Sequence, residues 1–156
     1  MHEITWSRFV DIDNYTLYKL LRLRSEVFVV EQMCLFLDLD GRDTLDSTEH
    51  AWINGNDGSV VAGLRVFEHG NNGVKISRVV TDATHRRVGL ADRLIRSALD
   101  RFATSAVVID AQSRLEAWYG EFGFVVDGEC FLEDGILHTP MRLSPRDTLR
   151  RRANVR

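Results

Sequence analysis

Arg86-Arg87-Val88-Gly89-Leu90-Ala91 is the stretch on which the reading of the chain turns. It follows the β-branched run Ile76–Thr81, read as a strand. It opens a segment in which Ala91, Leu94, Ile95, Ala98 and Phe102 share one helical face. A glycine in such a strand-to-helix turn lets the backbone approach a ligand with no Cβ in the way. The first-turn N–H groups of a helix have no intrahelical partner and suit a phosphate or pyrophosphate. Arg86 and Arg87 add positive charge at that place. The same residues also make an ordinary turn with two solvated arginines, and local composition alone leaves both readings standing. The turn lacks the Gly-Lys-Ser/Thr ending of a P-loop, and Gly-x-Gly-x-x-Gly is absent, so nucleotide hydrolysis and nicotinamide chemistry lose their usual signatures.

Upstream, Glu3–Phe9 reads as a short strand. Asn14 is a plausible N-cap for a helix whose core face carries Leu17, Leu20, Leu21, Arg24, Val27 and Phe28. Glu31–Glu49 breaks that period and reads as a long acid-rich loop. His50–Ile53 and Ser59–Glu68 flank the hairpin signal Asn54-Gly55-Asn56-Asp57-Gly58, and a second turn at His69–Gly73 leads into Val74–Thr81. Three antiparallel strands in a row follow. Downstream of the 87–102 helix, Ala106-Val107-Val108-Ile109 has the pattern of a strand buried on both faces. Ser113 can cap a helix carrying Leu115, Trp118, Tyr119 and Phe122, which Gly123 ends. Phe124–Leu132 and Ile136–Leu143 form a hairpin about Asp134-Gly135. The order β-α-β-β-β-α-β-α-β-β is an α/β (α+β) sandwich of mixed strand direction.

With 156 residues, 44% of them hydrophobic and 28% charged, the chain suits one soluble domain, residues 1–145, followed by a basic tail, residues 146–156. No apolar run approaches the roughly 18 residues of a membrane span, and the start of the chain has no apolar h-region. Cys34 and Cys130 make no disulfide framework, so the expected setting is the cytoplasm. A net charge of −3 gives no general attraction to nucleic acid or acidic lipid.

Asp38, Asp40 and Asp43 invite a calcium reading. An EF-hand loop needs glycine at its sixth position, whereas Gly41 is fourth from Asp38, so no metal site is expected. The loop is then either solvated by its acids or an acidic pocket for an ammonium substrate. In the second case Glu31, Asp40 and His50 are candidates to take the ammonium proton. His138 either lines such a pocket or is a partly buried structural histidine. No Cys-His-Asn pattern accompanies the cysteines, which favours direct transfer chemistry over a covalent enzyme intermediate.

Arg86-x-x-Gly89-x-Ala91 resembles the Arg/Gln-x-x-Gly-x-Gly/Ala motif of the GNAT acetyltransferases, in the same strand–turn–helix context. Gln112-Ser113-Arg114-Leu115-Glu116-Ala117-Trp118-Tyr119, then Phe122-Gly123-Phe124, is similar to that family's Asn-x-x-Ala-x-x-Phe-Tyr…Gly-Phe stretch. Leu23-Arg24, Val27–Gln32, Asp38-x-Asp40-Gly41-x-Asp43, His50, Ala111-Gln112 and Glu133-Asp134-Gly135-Ile136-x-His138 resemble the ElaA-like branch, from about Tyr18 to Met141. Ala91 fills the motif's last glycine position, and Leu137 stands where the branch often has proline.

The resemblance implies a mostly antiparallel GNAT-like sheet flanked by helices, with acetyl-coenzyme A as co-substrate. Its contacts would fall at Val79, Val80, Thr81, Arg86, Arg87, Val88, Gly89, Leu90, Ala91 and Gln112. It also implies Tyr119 as the acid that returns a proton to the departing thiolate. The alternative is that Tyr119 is a core aromatic beside Trp118. Glu31, Asp40, Asp43, His50 and His138 are the acceptor-side candidates. The activity implied is N-acetylation of a primary amine on a small molecule or peptide. The competing reading is a non-catalytic acyl-CoA-binding sensor. Arg24-x-x-Val27-Phe28 with the three aspartates faintly resembles acyl-homoserine-lactone synthases. Proteins of the resembled family are often dimers.

Overall fold

The computed structural model describes residues 2–146, so the basic tail lies outside the described residues beyond Arg146. Eight strands form one sheet in the order β1-β2-β3-β4-β5-β8-β6, with β7 also pairing with β8. They are β1 (Ile4–Arg8), β2 (Glu49–Asn54), β3 (Val60–Glu68), β4 (Gly73–Thr81), β5 (Ala106–Gln112), β6 (Val125–Val126), β7 (Phe131–Glu133) and β8 (Ile136–Leu143). Every pairing is antiparallel except β4 with β5. Among the described residues no helix is long and apolar enough to cross a membrane.

The helices cover the two faces of this sheet. α1 (Asn14–Arg24) buries Leu20 and Leu23 against Trp52, Val60 and Val80. Its close approach depends on Gly63, where a Cβ would stand 2.8 Å from a Leu20 methyl group. On the other face, α2 (Leu90–Arg101) places Leu94, Ile95 and Ala98 on Ile53, Leu64, Val66 and Val107. The short α3 (Glu116–Gly120) adds Tyr119 to the same core.

Local turn chemistry explains most of these boundaries. The β2–β3 connection closes through Gly55 N–H to Ser59 O at 2.8 Å, with Gly58 left-handed. Asp134 and Gly135 both have positive φ and join β7 to β8 as a two-residue turn.

Four expectations need correction. The α1 cap is Asp13, whose carboxylate accepts from the N–H groups of Tyr15 and Thr16, and Asn14 is already helical. Ser113 caps no helix; it bonds to Thr139 at 2.7 Å, and a single 3-10 turn precedes α3. α3 ends at Gly120, before Gly123. The expected strand Phe124–Leu132 is two short pieces, β6 and β7, interrupted opposite Pro140, which has no N–H to give the ladder.

Beyond Arg24 the helical winding widens to a π-helix over Ser25–Glu31, with Gln32 N–H bonding to Val27 O at 3.1 Å. Such widened turns are rare and recur at functional sites. Here the widening delivers Phe28 and Glu31 to the wall of a cleft.

Candidate active site

β4 and β5 pair only over Gly73–Lys75 and Ala106–Val108, yet β4 runs on to Thr81 and β5 to Gln112. The strands therefore part, and a cleft of about 810 Å³ opens between them. This is why β5 is not buried on both faces as its apolar run suggested. Val107, Ile109 and Ala111 enter the core under α2 and α3, while Val108, Asp110 and Gln112 are half-exposed on the opposite face.

A β-bulge shapes the β4 wall. Between the pairs Gly63↔Val80 and Arg65↔Ser77, β3 advances two residues and β4 three. Arg78 sits in the bulge with φ of +54°. A left-handed non-glycine residue costs on the order of 1–3 kcal/mol and persists where the surroundings hold it. The bulge inverts the facing of the strand. Ile76 packs in the α2 core, but Val80 packs in the α1 core and Val79 turns toward α2.

Val79, Val80 and Thr81 then line the cleft and lead into the turn before α2. Arg87 and Gly89 are both left-handed, and Gly89 is the N-cap of α2 without any side-chain cap. The first-turn N–H groups of α2 therefore face outward with no capping side chain. Nothing lies within 4 Å of where a Gly89 Cβ would be. Arg86, Arg87, Gly89, Leu90 and Ala91 border the cleft here, while the Val88 side chain is exposed outside it. Gln112 borders it at the end of β5, held by Arg114 at 3.0 Å.

Tyr119 packs in the core and also borders the cleft. Its ring is buried, edge-on to Trp118 and Phe124. It also lines the cleft, and its hydroxyl has no hydrogen-bond partner among the described residues yet is not sealed from water. Burial pushes its pKa up to about 12, so the phenol keeps its proton throughout the neutral range.

The acidic loop does not form an open acidic pocket. Arg24 forks onto Asp43 at 2.6 and 3.2 Å and reaches Asp38 at 2.9 Å. Arg65 grips Asp40 at 2.8 and 3.0 Å, touches Asp43 at 3.1 Å and bonds to Ser77. Arg78 meets Asp38 at 2.6 Å as an ion pair rather than an aligned hydrogen bond, and also reaches Asp40. Three aspartates thus meet three arginines beneath α1. Asp43, 5% exposed, and His50, 1% exposed, do not reach the cleft, which removes both as acceptor contacts. Burial opposes ionisation of Asp40 and Asp43, but the guanidinium partners outweigh it and hold both carboxyls below the usual carboxylate range. Burial, aided by Arg24 and Arg65, lowers the pKa of His50, whose Nε2–H donates to Asp43 O.

Glu31 lies on the cleft, but Arg86 holds it through two bonds of 2.6 and 2.8 Å, which also lowers its pKa. It thus bridges α1's extension to the turn before α2. Of the five acceptor-side candidates, Glu31, Asp40 and His138 line the cleft. The sequence reading passed over Lys75 and Asp110, an ion pair on the α1 face where the strands separate. The available signal was an aspartate interrupting the apolar run Ala106–Ala111.

Comparison with known proteins agrees with this geometry. The family described as the acetyltransferase (GNAT) domain matches residues 26–145. A Mycobacterium tuberculosis relative, UPF0039 protein Rv2851c, is 45% identical over 139 residues, covering 87% of this chain and 88% of the relative. An acyl-CoA N-acyltransferase from Pseudomonas aeruginosa superposes with a TM-score of 0.87 at 37% identity, covering 92% of this chain and 100% of that one. The crystal structure of Escherichia coli ElaA gives a TM-score of 0.85 at 31% identity, covering 94% and 100%.

Proposed function

This chain belongs to the GNAT acyltransferase superfamily, in its ElaA-like branch, and we propose that it moves an acetyl group from acetyl-coenzyme A to a primary amine. The acceptor is a small molecule or peptide, and transfer is direct, within a ternary complex. The observation that carries this is the uncapped, open turn at Gly89 meeting the gap between β4 and β5. The residues fit an acyl-CoA. Outward N–H groups at the start of α2 suit its pyrophosphate, with Arg87 adding charge. The separated edge of β4, Val79–Thr81, offers backbone groups to the pantetheine arm. The co-substrate supplies an activated acetyl thioester.

The protein's part in the chemistry is positioning and charge. A backbone N–H on β4 beside the bulge polarises the thioester carbonyl. Holding amine and thioester together in the cleft lowers the entropic barrier. The hydroxyl of Tyr119 donates to the thiolate as the C–S bond breaks. A phenol at about 12 is a weaker acid than a free one, but the same loss of water also raises the proton affinity of the sulfur beside it. An unpartnered hydroxyl on the cleft wall supports catalysis over the alternative of a pure acyl-CoA sensor. Two unbridged cysteines, Cys34 and Cys130, support a cytoplasmic setting.

Initial rates measured with both acetyl-coenzyme A and a primary amine varied test the reading. Direct transfer gives intersecting double-reciprocal lines. Parallel lines, with acetyl label retained on the protein, contradict it.

A further inference from the structure

The acceptor arrives as an ammonium ion and has to lose a proton before it can attack, so the cleft needs a base. Most of the acidic side chains on its wall are already committed. Asp40 is held by Arg65 and Arg42, Glu31 by Arg86, and Asp110 by Lys75. Asp43 and His50 are buried away from it.

His138 is different. Its Nδ1 lies 2.8 Å from Ile136 O. A carbonyl oxygen only accepts, so Nδ1 carries the proton and the neutral ring leaves its lone pair on Nε2. Phe131, its cross-strand partner on β7, stacks on the ring with centroids 5.6 Å apart and planes 18° apart, which fixes the ring's orientation. On the other side His138 is in register with Gln112 of β5, at the open end of the separated strands. The residue is half-buried and lines the cleft, and Nε2 has no partner among the described residues.

We infer that His138 is the general base of the acetyl transfer, taking the acceptor's ammonium proton on Nε2; the inference rests on the acyl-transfer reading above. Charged groups on the bordering elements are Asp110 with Lys75 and Arg114 on the β5 side, and Glu133 and Asp134 at the hairpin turn. An ammonium that becomes an amide loses two protons. One passes to Nε2 and on to water. Once the C–N bond has formed and the C–S bond has broken, the other replaces the proton that Tyr119 gave to the thiolate.

The test uses the whole protein with two amine probes, n-butylamine, which is almost wholly ammonium at neutral pH, and hydrazine, a much weaker base with a far larger fraction of free amine. His138→Gln should lower kcat/KM for n-butylamine by roughly 10²–10⁴-fold at neutral pH. The loss should shrink as pH rises and be much smaller for hydrazine, with calorimetric coenzyme A affinity unchanged. Nitrogen-15 NMR of histidine-labelled wild type should show His138 protonated at Nδ1 and bare at Nε2. An n-butylamine pH profile in His138→Gln that matches wild type overturns the base assignment and leaves the transfer reading standing, as does an Nε2–H tautomer. A wild-type protein that binds coenzyme A yet acetylates neither probe overturns the transfer reading, and the base assignment with it.

Discussion

The charged loop beneath α1 and the turn before α2 are built on opposite terms. In the loop, Asp38, Asp40 and Asp43 meet Arg24, Arg65 and Arg78, and four of those six side chains are almost sealed from water. In the turn, few side chains carry charge, but Gly89 leaves the start of α2 uncapped and the space beside it clear. The denser charge is the self-satisfied region, and the sparser one has donors to spare. A run of carboxylates is therefore a poor guide to a binding site unless its partners are also counted.

The two regions are nonetheless joined through Arg78. Its side chain belongs to the ion-pair network and its backbone forms the β4 bulge that turns Val79 toward α2. Asp38 and Asp40 are thus the ionic partners of the residue whose left-handed backbone forms the bulge.

The largest contrast should come from the open region. Tyr119→Phe keeps the ring packed against Trp118 and Phe124 but removes the donor. kcat should fall by roughly 10²–10⁴-fold with coenzyme A affinity and thermal midpoint little changed. A donor with a more acidic thiol should lose less. Wild-type kcat in the folded variant would make Tyr119 a packing residue only.

Next is a change in the closed region. Asp43→Ala leaves Arg24 and Arg65 buried without a shared counter-charge, and breaking such a pair costs about 3–5 kcal/mol. Urea unfolding should report that loss, whereas an acceptor-binding carboxylate would leave stability alone and raise the KM for a cationic amine.

What could be read from the sequence follows the same division. Hairpins at Asn54–Gly58 and Asp134-Gly135, and the glycine turn at Gly89, depend on backbone conformations fixed by adjacent residues, and each was legible. The α1 cap was misplaced by one residue because Asp13 and Asn14 are both good caps, and only the chain's entry angle chooses between them. The broken strand at β6 and β7 depends on Pro140, a partner in another strand. The ion-pair network joins residues 14 to 40 positions apart. Its trace was there: Arg24 sits on an apolar helical face, and Arg65 within the apolar run Val60–Phe67. A cation at a buried position requires a counter-charge, and three nearby aspartates could supply it. The parting of β4 from β5 after Lys75 and the bulge at Arg78 are features of strand pairing, and no local residue pattern gave notice of either.

The central claim is that the open turn before α2 holds the acyl-CoA whose acetyl group the cleft transfers. Its most direct test is amine-dependent release of free thiol from acetyl-coenzyme A, with wild type and Gly89→Val compared at matched thermal stability. Valine cannot easily take the left-handed conformation that Gly89 adopts, and its side chain projects into the open space beside the turn. The account predicts steady release by wild type in proportion to N-acetylated product, and a loss of at least about tenfold in apparent acetyl-coenzyme A affinity for the folded variant, the ~1.4 kcal/mol that displaced backbone donors would cost. Equal affinity and equal release in the two proteins would contradict it.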